Sequence, residues 1–189
     1  MKKMLWGLFS VFLCLALAGP SSALIWNGNG HNYEVFLLPD GSWDDAVGDM
    51  LDQLGTGYAL ATITSADEQA FIEDYVLAKY LGEYWIGGFQ ASGNTDPATG
   101  WNWMTGEAWG YTNWASGEPN DYNGRNEEYL AIWSKYSSET WQWNDEGYFG
   151  NISGYIAESL PVPEPGTIVL MGLGLVGLAG MGRKKLFKK

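Results

Sequence analysis

The chain has 189 residues and a formal net charge of −12, and its only cysteine is Cys14. This length suits one ordinary domain with short terminal segments. The acidic balance disfavours binding to nucleic acid and to anionic lipid, because both are polyanions. A single cysteine also excludes a disulfide framework within the chain.

The N-terminus has the pattern of a secretory signal peptide. Two lysines and an apolar run over residues 5–18 are followed by the small-residue sequence "SSA" at 21–23. The apolar run is short for a membrane span. We therefore predict that residues 1–23 direct export and that the domain proper occupies residues 24–161.

The first half of this domain predicts strands alternating with two helices. "HNYEVFLL" over 31–38 has the alternation of a strand, and His31 at its start is expected on the surface. The next segment has apolar residues at helical spacing, with Ser42 as N-cap and Gly55 as its end. "YALATIT" over 58–64 is predicted as a second strand.

A second helix is predicted after residue 64. Ser65 and Glu68 have the spacing of a capping box, in which each residue bonds the other's backbone. The predicted buried face of this helix consists of Phe71, Ile72, Tyr75 and Val76. A buried strand over 84–89 follows.

The second half is rich in Trp, Gly, Asn and Asp and has little helical periodicity. Residues 92–114 are predicted as long loops held by tryptophans, and residues 127–133, 140–145 and 154–159 as the closing strands. Two helices, several strands and a long loop region indicate the α+β class.

One loop concentrates oxygen donors. "GEPNDYNGRNEEY" over 117–129 contains four carboxylates and three side-chain amides but only one basic residue, Arg125. Calcium takes six to eight oxygen ligands of these two kinds. Taken alone, the Pro and Asn residues are equally typical of a turn.

The C-terminus has three successive parts over residues 162–189. "VPEP" is followed by a charge-free apolar stretch at 167–182 and then by a basic tip. This order resembles the PEP-CTERM sorting signal of exported bacterial proteins. The resemblance implies transient membrane anchoring through a short transmembrane helix, cleavage by an exosortase-type protease and release to the cell surface, periplasm or extracellular matrix. A permanent short anchor is the alternative.

The order of motifs between these ends resembles the C-type lectin domain over nearly all of residues 24–161. The matching pieces are "LATITSADEQAFI", "WIGG", "NWASGEPND", "NEEYLAIW", "WND" and "YIAE". Each piece is a weak signal, but their joint order and spacing are specific. The resemblance implies an α+β fold with two helices, small antiparallel sheets and a long loop region.

The resemblance also implies a calcium site. Its ligands would be Glu118, Asn120, Glu127, Asn144 and Asp145, and the Glu118–Pro119 peptide would be cis. In the family, two neighbouring sugar hydroxyls coordinate the same ion and bond to its ligands, a role that would fall here to the first four residues. Carboxylates accept from a hydroxyl and amides donate to it.

The order Glu-Pro-Asn goes with mannose-type or glucose-type sugars in this family, whereas Gln-Pro-Asp goes with galactose. We therefore expect an exported, calcium-dependent carbohydrate-binding protein. An auxiliary calcium site would use Asp121 and Glu128, but Gln90 stands where the family has its third ligand. Met50, Ala157 and Tyr129 replace three expected cysteines, so packing is expected to replace the disulfides.

Two other functions compete with sugar binding. The same fold serves as a protein-binding or adhesion module that binds no sugar. A hydrolase could use Glu127 and Glu128 as an acid–base pair. Adjacent strand residues point to opposite faces, however, so these two carboxylates do not readily flank one bond, and we predict no enzymatic activity.

Overall fold

The structure is a computed structural model that describes residues 24–134 and 141–160. The predicted signal peptide and the predicted sorting signal lie outside these residues, as does the start of the strand predicted at 140–145. Within the described ranges, no helix is long and apolar enough to cross a bilayer.

In the part of the chain that the structure describes, eight strands form one sheet and two helices pack beside it. In chain order the elements are β1 (Leu24–Ile25), β2 (Asn32–Leu37), α1 (Trp43–Leu54), β3 (Tyr58–Leu60), α2 (Ala66–Phe71) with a π-helical turn (Ile72–Val76), β4 (Gly82–Gln90), β5 (Trp101–Trp103), a 3-10 turn (Tyr122–Gly124), β6 (Tyr129–Ser134), β7 (Gln142–Glu146) and β8 (Ile152–Ser159).

The sheet runs β1-β2-β8-β4-β6-β7, with β3 paired to β8 and β5 paired to β4. The β4–β8 pair is parallel and the other pairs are antiparallel. This architecture confirms the predicted α+β class. It also corrects one detail, because β5 lies inside the segment 92–114 that was predicted as loop.

Helix α1 follows its sequence signals. The Ser42 hydroxyl accepts a hydrogen bond from Asp45 N at 3.1 Å, and the Asp45 carboxylate accepts from Ser42 N at 3.0 Å. This reciprocal pair satisfies two backbone donors that a helix start leaves open. Ala46 and Met50 are buried, and the chain leaves the helix at Gly55, where φ is +78°.

Helix α2 departs from its prediction. Ser65 Oγ accepts from Glu68 N at 3.2 Å, but the Glu68 carboxylate does not return to the backbone of Ser65. It accepts instead from Thr64 N at 2.8 Å and from the hydroxyl of Tyr33. The capping box is therefore only half formed, because Glu68 is drawn into a buried cluster with Tyr33.

The π-helical turn changes which residues face the core. Leu77 N bonds to Ile72 O, five residues earlier, so the turn contains one residue more than an α-helical turn. Ile72 and Val76 are buried as predicted, whereas Tyr75 is 62% exposed. The prediction for Tyr75 was wrong because it assumed an unbroken 3.6-residue period.

The strand predicted at 58–64 ends at Leu60. Thr62 N donates to the buried carboxylate of Glu158 at 3.1 Å rather than to a strand. His31 Nδ1 lies 3.2 Å from the other oxygen of this carboxylate. His31 is only 7% exposed, so the prediction of a surface histidine was wrong.

Apolar packing fills the three positions where the family has cysteines. Met50 and Ala157 are buried in one cluster with Trp85. Tyr129 stacks on Trp43 with ring centres 5.0 Å apart. These contacts tie α1 to β6 and β8 without a covalent link.

Candidate functional site

Two backbone hydrogen bonds fasten the segment that leads into the acidic loop, residues 117–129, to β7. Ala115 N donates to Trp143 O and Trp143 N donates to Asn113 O, each at 2.8 Å. Trp143 is fully buried, and its indole N–H donates to Gln69 Oε1 at 3.0 Å. The loop is thus anchored to α2 as well as to the sheet.

A tryptophan cluster fills the space under this segment. The ring centre of Trp143 lies 5.6 Å from that of Trp103, 5.8 Å from that of Trp109 and 5.9 Å from that of Trp114. Edge-to-face and tilted aromatic pairs at these distances are favourable beyond the area they bury. The tryptophans predicted to hold the loops do so, and they place Asn144 and Asp145 beside the acidic loop.

Asp145 holds the backbone at the tip of the loop. Its carboxylate is fully buried and accepts from Asn120 N at 2.9 Å and from Asp121 N at 2.8 Å. The preceding peptide, Glu118–Pro119, is cis, as the resemblance implied. Asp145 is therefore a predicted ligand that also fixes the backbone of Asn120 and Asp121 by hydrogen bonds.

Glu127 closes the other side of the loop. Its carboxylate accepts from Tyr122 N at 2.8 Å, and its own N–H donates to Asp121 Oδ1 at 2.9 Å. Asp121 has φ of +47°, a left-handed conformation that Asp tolerates better than most residues. These bonds turn the chain so that the Glu127 side chain faces back toward Glu118.

Four of the five predicted calcium ligands line one cavity of about 310 Å³. They are Glu118, Asn120, Glu127 and Asn144, and Asp145 supports this wall from behind. Sequence reasoning missed the other lining residues, which are Tyr122, Arg125, Trp133, Glu146, Tyr148 and Asn151. Four of these had a sequence signal: Tyr122 and Arg125 lie inside the acidic loop, Trp133 ends the "NEEYLAIW" motif and Glu146 directly follows "WND".

The carboxylates in this cavity are crowded. The pKa of Glu118 is raised to about 7, first by burial and then by its contact with Asp145. Burial also raises the pKa of Glu127 to about 7, with smaller contributions from Asp145 and Glu146 and against the hydrogen bond from Tyr122 N. Such mutual repulsion is relieved when a cation sits between the groups.

Two side-chain amides complete the set of predicted calcium ligands. Asn120 Nδ2 donates to the Glu118 carboxylate, and Asn144 Nδ2 donates to Glu83 Oε1 at 3.1 Å. Glu83 is buried on β4, and burial raises its pKa to about 7. With both N–H₂ groups turned toward carboxylates, each amide oxygen is left as an acceptor.

The donor chemistry fits calcium. Three carboxylates and two amide oxygens are hard ligands of the kind that calcium prefers. Among the described residues of the cavity wall, Arg125 is the one base, and its guanidinium carbon lies 5.8 Å from the ring centre of Tyr148. In residues 24–134 and 141–160, no group of three or more His, Cys, Asp and Glu side chains is placed to hold a metal by itself.

The residues of the predicted auxiliary site are not brought together in the same way. Asp121 bonds to Glu127 N, whereas Glu128 lines a separate cavity of about 450 Å³ with Gln90 and Trp43. Gln90 Nε2 donates to backbone carbonyls of the 96–99 turn, the nearest being Thr99 O at 2.8 Å. The auxiliary site stays a prediction.

Comparison with known proteins supports the fold and the sorting segment. Residues 161–184 match the PEP-CTERM protein-sorting motif. The chain is 33% identical over 125 residues to a perlucin-like protein of Mytilus galloprovincialis, covering 64% of this chain and 72% of that protein. It is 34% identical over 91 residues to ladderlectin of Oncorhynchus mykiss, of which it spans 44%, with 47% of its own length covered.

Among solved structures, the C-type lectin CEL-I from Cucumaria echinata aligns with a TM-score of 0.55 and 25% identity, over 68% of this chain and 89% of that one. The chain belongs to the C-type lectin family. A calcium-independent type II antifreeze protein has the same fold, with a TM-score of 0.56 and 22% identity over 78% of this chain and 98% of its own. The fold alone therefore does not decide the ligand.

The sorting motif marks this C-type lectin-family chain as an exported protein that an exosortase processes at the cell envelope. Its relatives are lectins, which bind rather than catalyse. Glu127 and Glu128 line different cavities, which agrees with the prediction that they do not act as a pair.

Proposed function

We propose that the protein binds one calcium ion through Glu118, Asn120, Glu127, Asn144 and Asp145, and that this ion binds a sugar. The observation that carries the proposal is the convergence of separate chain segments on one place. The first three residues come from the acidic loop and the last two from β7. Four of them share the cavity wall, and the fifth bonds the loop from behind.

The bound ion would supply two coordination positions for neighbouring hydroxyls of a sugar. The protein's own part is to hold acceptors and donors around those positions. Glu118 and Glu127 accept from a hydroxyl, and the N–H₂ groups of Asn120 and Asn144 each carry a second hydrogen, besides the one donated to a carboxylate, for a bond to a hydroxyl. The acid–amide order Glu118-Pro119-Asn120 supports mannose-type or glucose-type sugars in an extracellular polysaccharide or on a cell surface.

The proposed role is binding without catalysis. The cavity holds carboxylates with raised pKa values, but it is open to the solvent through exposed residues such as Tyr148 and Asn151. An adhesion module that binds protein rather than sugar is the competing function, and it becomes the better account if no glycan is retained.

Calorimetry of the purified protein tests the proposal. Glu127→Gln is expected to weaken calcium binding at least tenfold, which corresponds to about 1.4 kcal/mol. The control is Glu107→Gln, an exposed acid outside the loop, which should leave the calcium affinity unchanged. Equal affinities for both variants would overturn the ligand assignment.

Retention on a mannan column in calcium, with release by chelator, tests the sugar. A protein that binds calcium normally but is retained on no glycan would point to the adhesion module.

A further inference from the structure

Two cavities lie side by side on the face that carries the proposed calcium site. The first, of about 310 Å³, contains the predicted ligands. The second, of about 350 Å³, is lined by Leu81, Gly82, Glu83, Trp133, Ser134 and Asn151. Trp133 and Asn151 belong to the walls of both, so the two cavities form one continuous depression.

The position of the second cavity follows from the strand register. Gly82 pairs with Ser134 and Glu83 with Trp133 where β4 begins and β6 ends. Glu83 also pairs with Ile152 at the start of β8, directly after Asn151. Strands β4 and β6 therefore supply Gly82, Glu83, Trp133 and Ser134, and the other two lining residues, Leu81 and Asn151, directly precede β4 and β8.

The lining of the second cavity has the two kinds of surface that a sugar ring requires. Trp133 and Leu81, which is 60% exposed, offer apolar surface to the C–H face of a ring. Asn151 and Glu83 offer donors and acceptors to hydroxyl groups. A mainly apolar wall with a few placed polar groups is typical of small-ligand sites.

Glu83 links the two cavities. Its carboxylate is only 6% exposed, accepts from Asn144 Nδ2 at 3.1 Å and also lines the second cavity. A buried glutamate on a central strand is unusual unless it is hydrogen-bonded. Here one side chain orients a predicted calcium ligand and faces the neighbouring space.

We propose that the second cavity is a subsite for the next sugar of an oligosaccharide whose first sugar is held at the calcium site. The inference rests on the proposed function, since it needs that first sugar to be bound. The ligand class is a neutral oligosaccharide of mannose-type or glucose-type units. Uronic acids are disfavoured, because Glu83, Glu118 and Glu146 line the depression and Arg125 is the only basic residue among its described lining residues.

The test compares methyl mannoside with mannobioses of different linkages and with mannotriose, by calorimetry of the purified protein at saturating calcium. At least one oligosaccharide should bind about tenfold more tightly than methyl mannoside, a gain that corresponds to about 1.4 kcal/mol. Trp133→Leu should reduce the ratio of oligosaccharide to monosaccharide affinity to nearly one.

Leu81→Gln is the second variant, because Leu81 lines the second cavity but not the first and is exposed enough for the fold to tolerate the change. It should reduce the oligosaccharide gain while leaving the affinities for calcium and methyl mannoside within twofold of the wild type. Its matched control is Leu37→Gln, at a residue that is 67% exposed at the end of β2 and outside both cavities. If Trp133→Leu does not fold, the result for Leu81→Gln alone decides whether the second cavity is a subsite.

The possible failures are distinguishable. If calcium and methyl mannoside bind but no oligosaccharide binds more tightly, or if the gain survives in both variants, the subsite is overturned and the proposed function stands. If neither methyl mannoside nor any oligosaccharide binds in calcium, the proposed function fails and the subsite fails with it.

Discussion

A buried carboxylate away from the proposed calcium site is expected to make the stability of this fold depend on pH. Glu158 is fully buried; its Oε1 accepts from Thr62 N at 3.1 Å, and its Oε2 lies 3.2 Å from His31 Nδ1. Burial raises the pKa of Glu158 to about 8, the hydrogen bonds from Thr62 and Tyr33 lower it, and the nearby Glu68 raises it. An unfolded chain has a Glu pKa of about 4.3.

The direction in which stability changes with pH follows from the difference between the folded and unfolded pKa of Glu158. Because the pKa is higher in the folded state, the folded protein binds more protons between about pH 4 and pH 8, and stability falls as the pH rises through this window. At about 1.4 kcal/mol per pKa unit, Glu158 contributes a loss of about 3 to 4 kcal/mol between about pH 5 and pH 8. The corresponding fall in melting temperature is on the order of 10 °C.

The variant Glu158→Gln removes this titration and keeps an oxygen that can accept from Thr62 N. At pH 8 it should be more stable than the wild type by up to about 3 kcal/mol, and at pH 5 the two should be nearly equal. Denaturant unfolding in chelator, at several pH values, measures the difference. Glu34→Gln, on the neighbouring strand β2, is the matched control and should leave the slope of stability against pH unchanged.

The opposite result would refute this reasoning. If Glu158→Gln is less stable than the wild type at pH 8, the carboxylate is ionised in the folded state and held by its neighbours. A parallel loss in His31→Gln would then identify the contact between His31 Nδ1 and the Glu158 carboxylate as the cause.

Four further predictions concern the site and the tail. Calcium at a hundredfold excess over Kd should add roughly 2.7 kcal/mol of stability, so equal melting midpoints in calcium and in chelator would contradict binding. Trp143→Phe leaves the buried Gln69 Oε1 without its donor, which should lower the free energy of unfolding by ~1–3 kcal/mol and weaken calcium binding. An unchanged denaturation midpoint would show that the indole of Trp143 does not anchor the loop. Intact-mass analysis of cell-surface protein should show a chain that lacks residues 166–189, and a mass that retains the basic tip would mean a permanent anchor. Mannose, rather than galactose, should elute the protein from mannan in calcium, because Glu118 and Asn120 place acceptor and donor in the mannose-type order, and elution by galactose alone would reverse this assignment.

Features set by neighbours in sequence could be predicted. The cap and end of α1 depend on residues three or four apart, and the structure has them as expected. The sequence also indicated that Glu118, Asn120 and Glu127 belong together, because they occupy one short loop. The resemblance added Asn144 and Asp145, which lie on a different strand.

What could not be predicted depends on distant partners. Glu68 has the spacing of a capping box, but its carboxylate bonds to Tyr33, which lies 35 positions earlier. The sequence alone predicted His31 on the surface, because only the pairing of β2 with β8 places Glu158 beside it. Glu83 gave no signal, since its contact with Asn144 exists only after β4, β6 and β7 are aligned.

The strand order also determines how the protein can be tethered. The sorting motif begins at residue 161, directly beyond β8, while β7 and the acidic loop lie three strands away at the edge of the sheet. At a strand spacing of 4.7–4.9 Å, this separation is about 14 Å. A chain attached through its C-terminal segment therefore keeps the edge that carries the proposed site clear of the attachment point. Copies fixed along one surface would present their edges in parallel, so that a polymer too weakly bound by one copy could be retained by many.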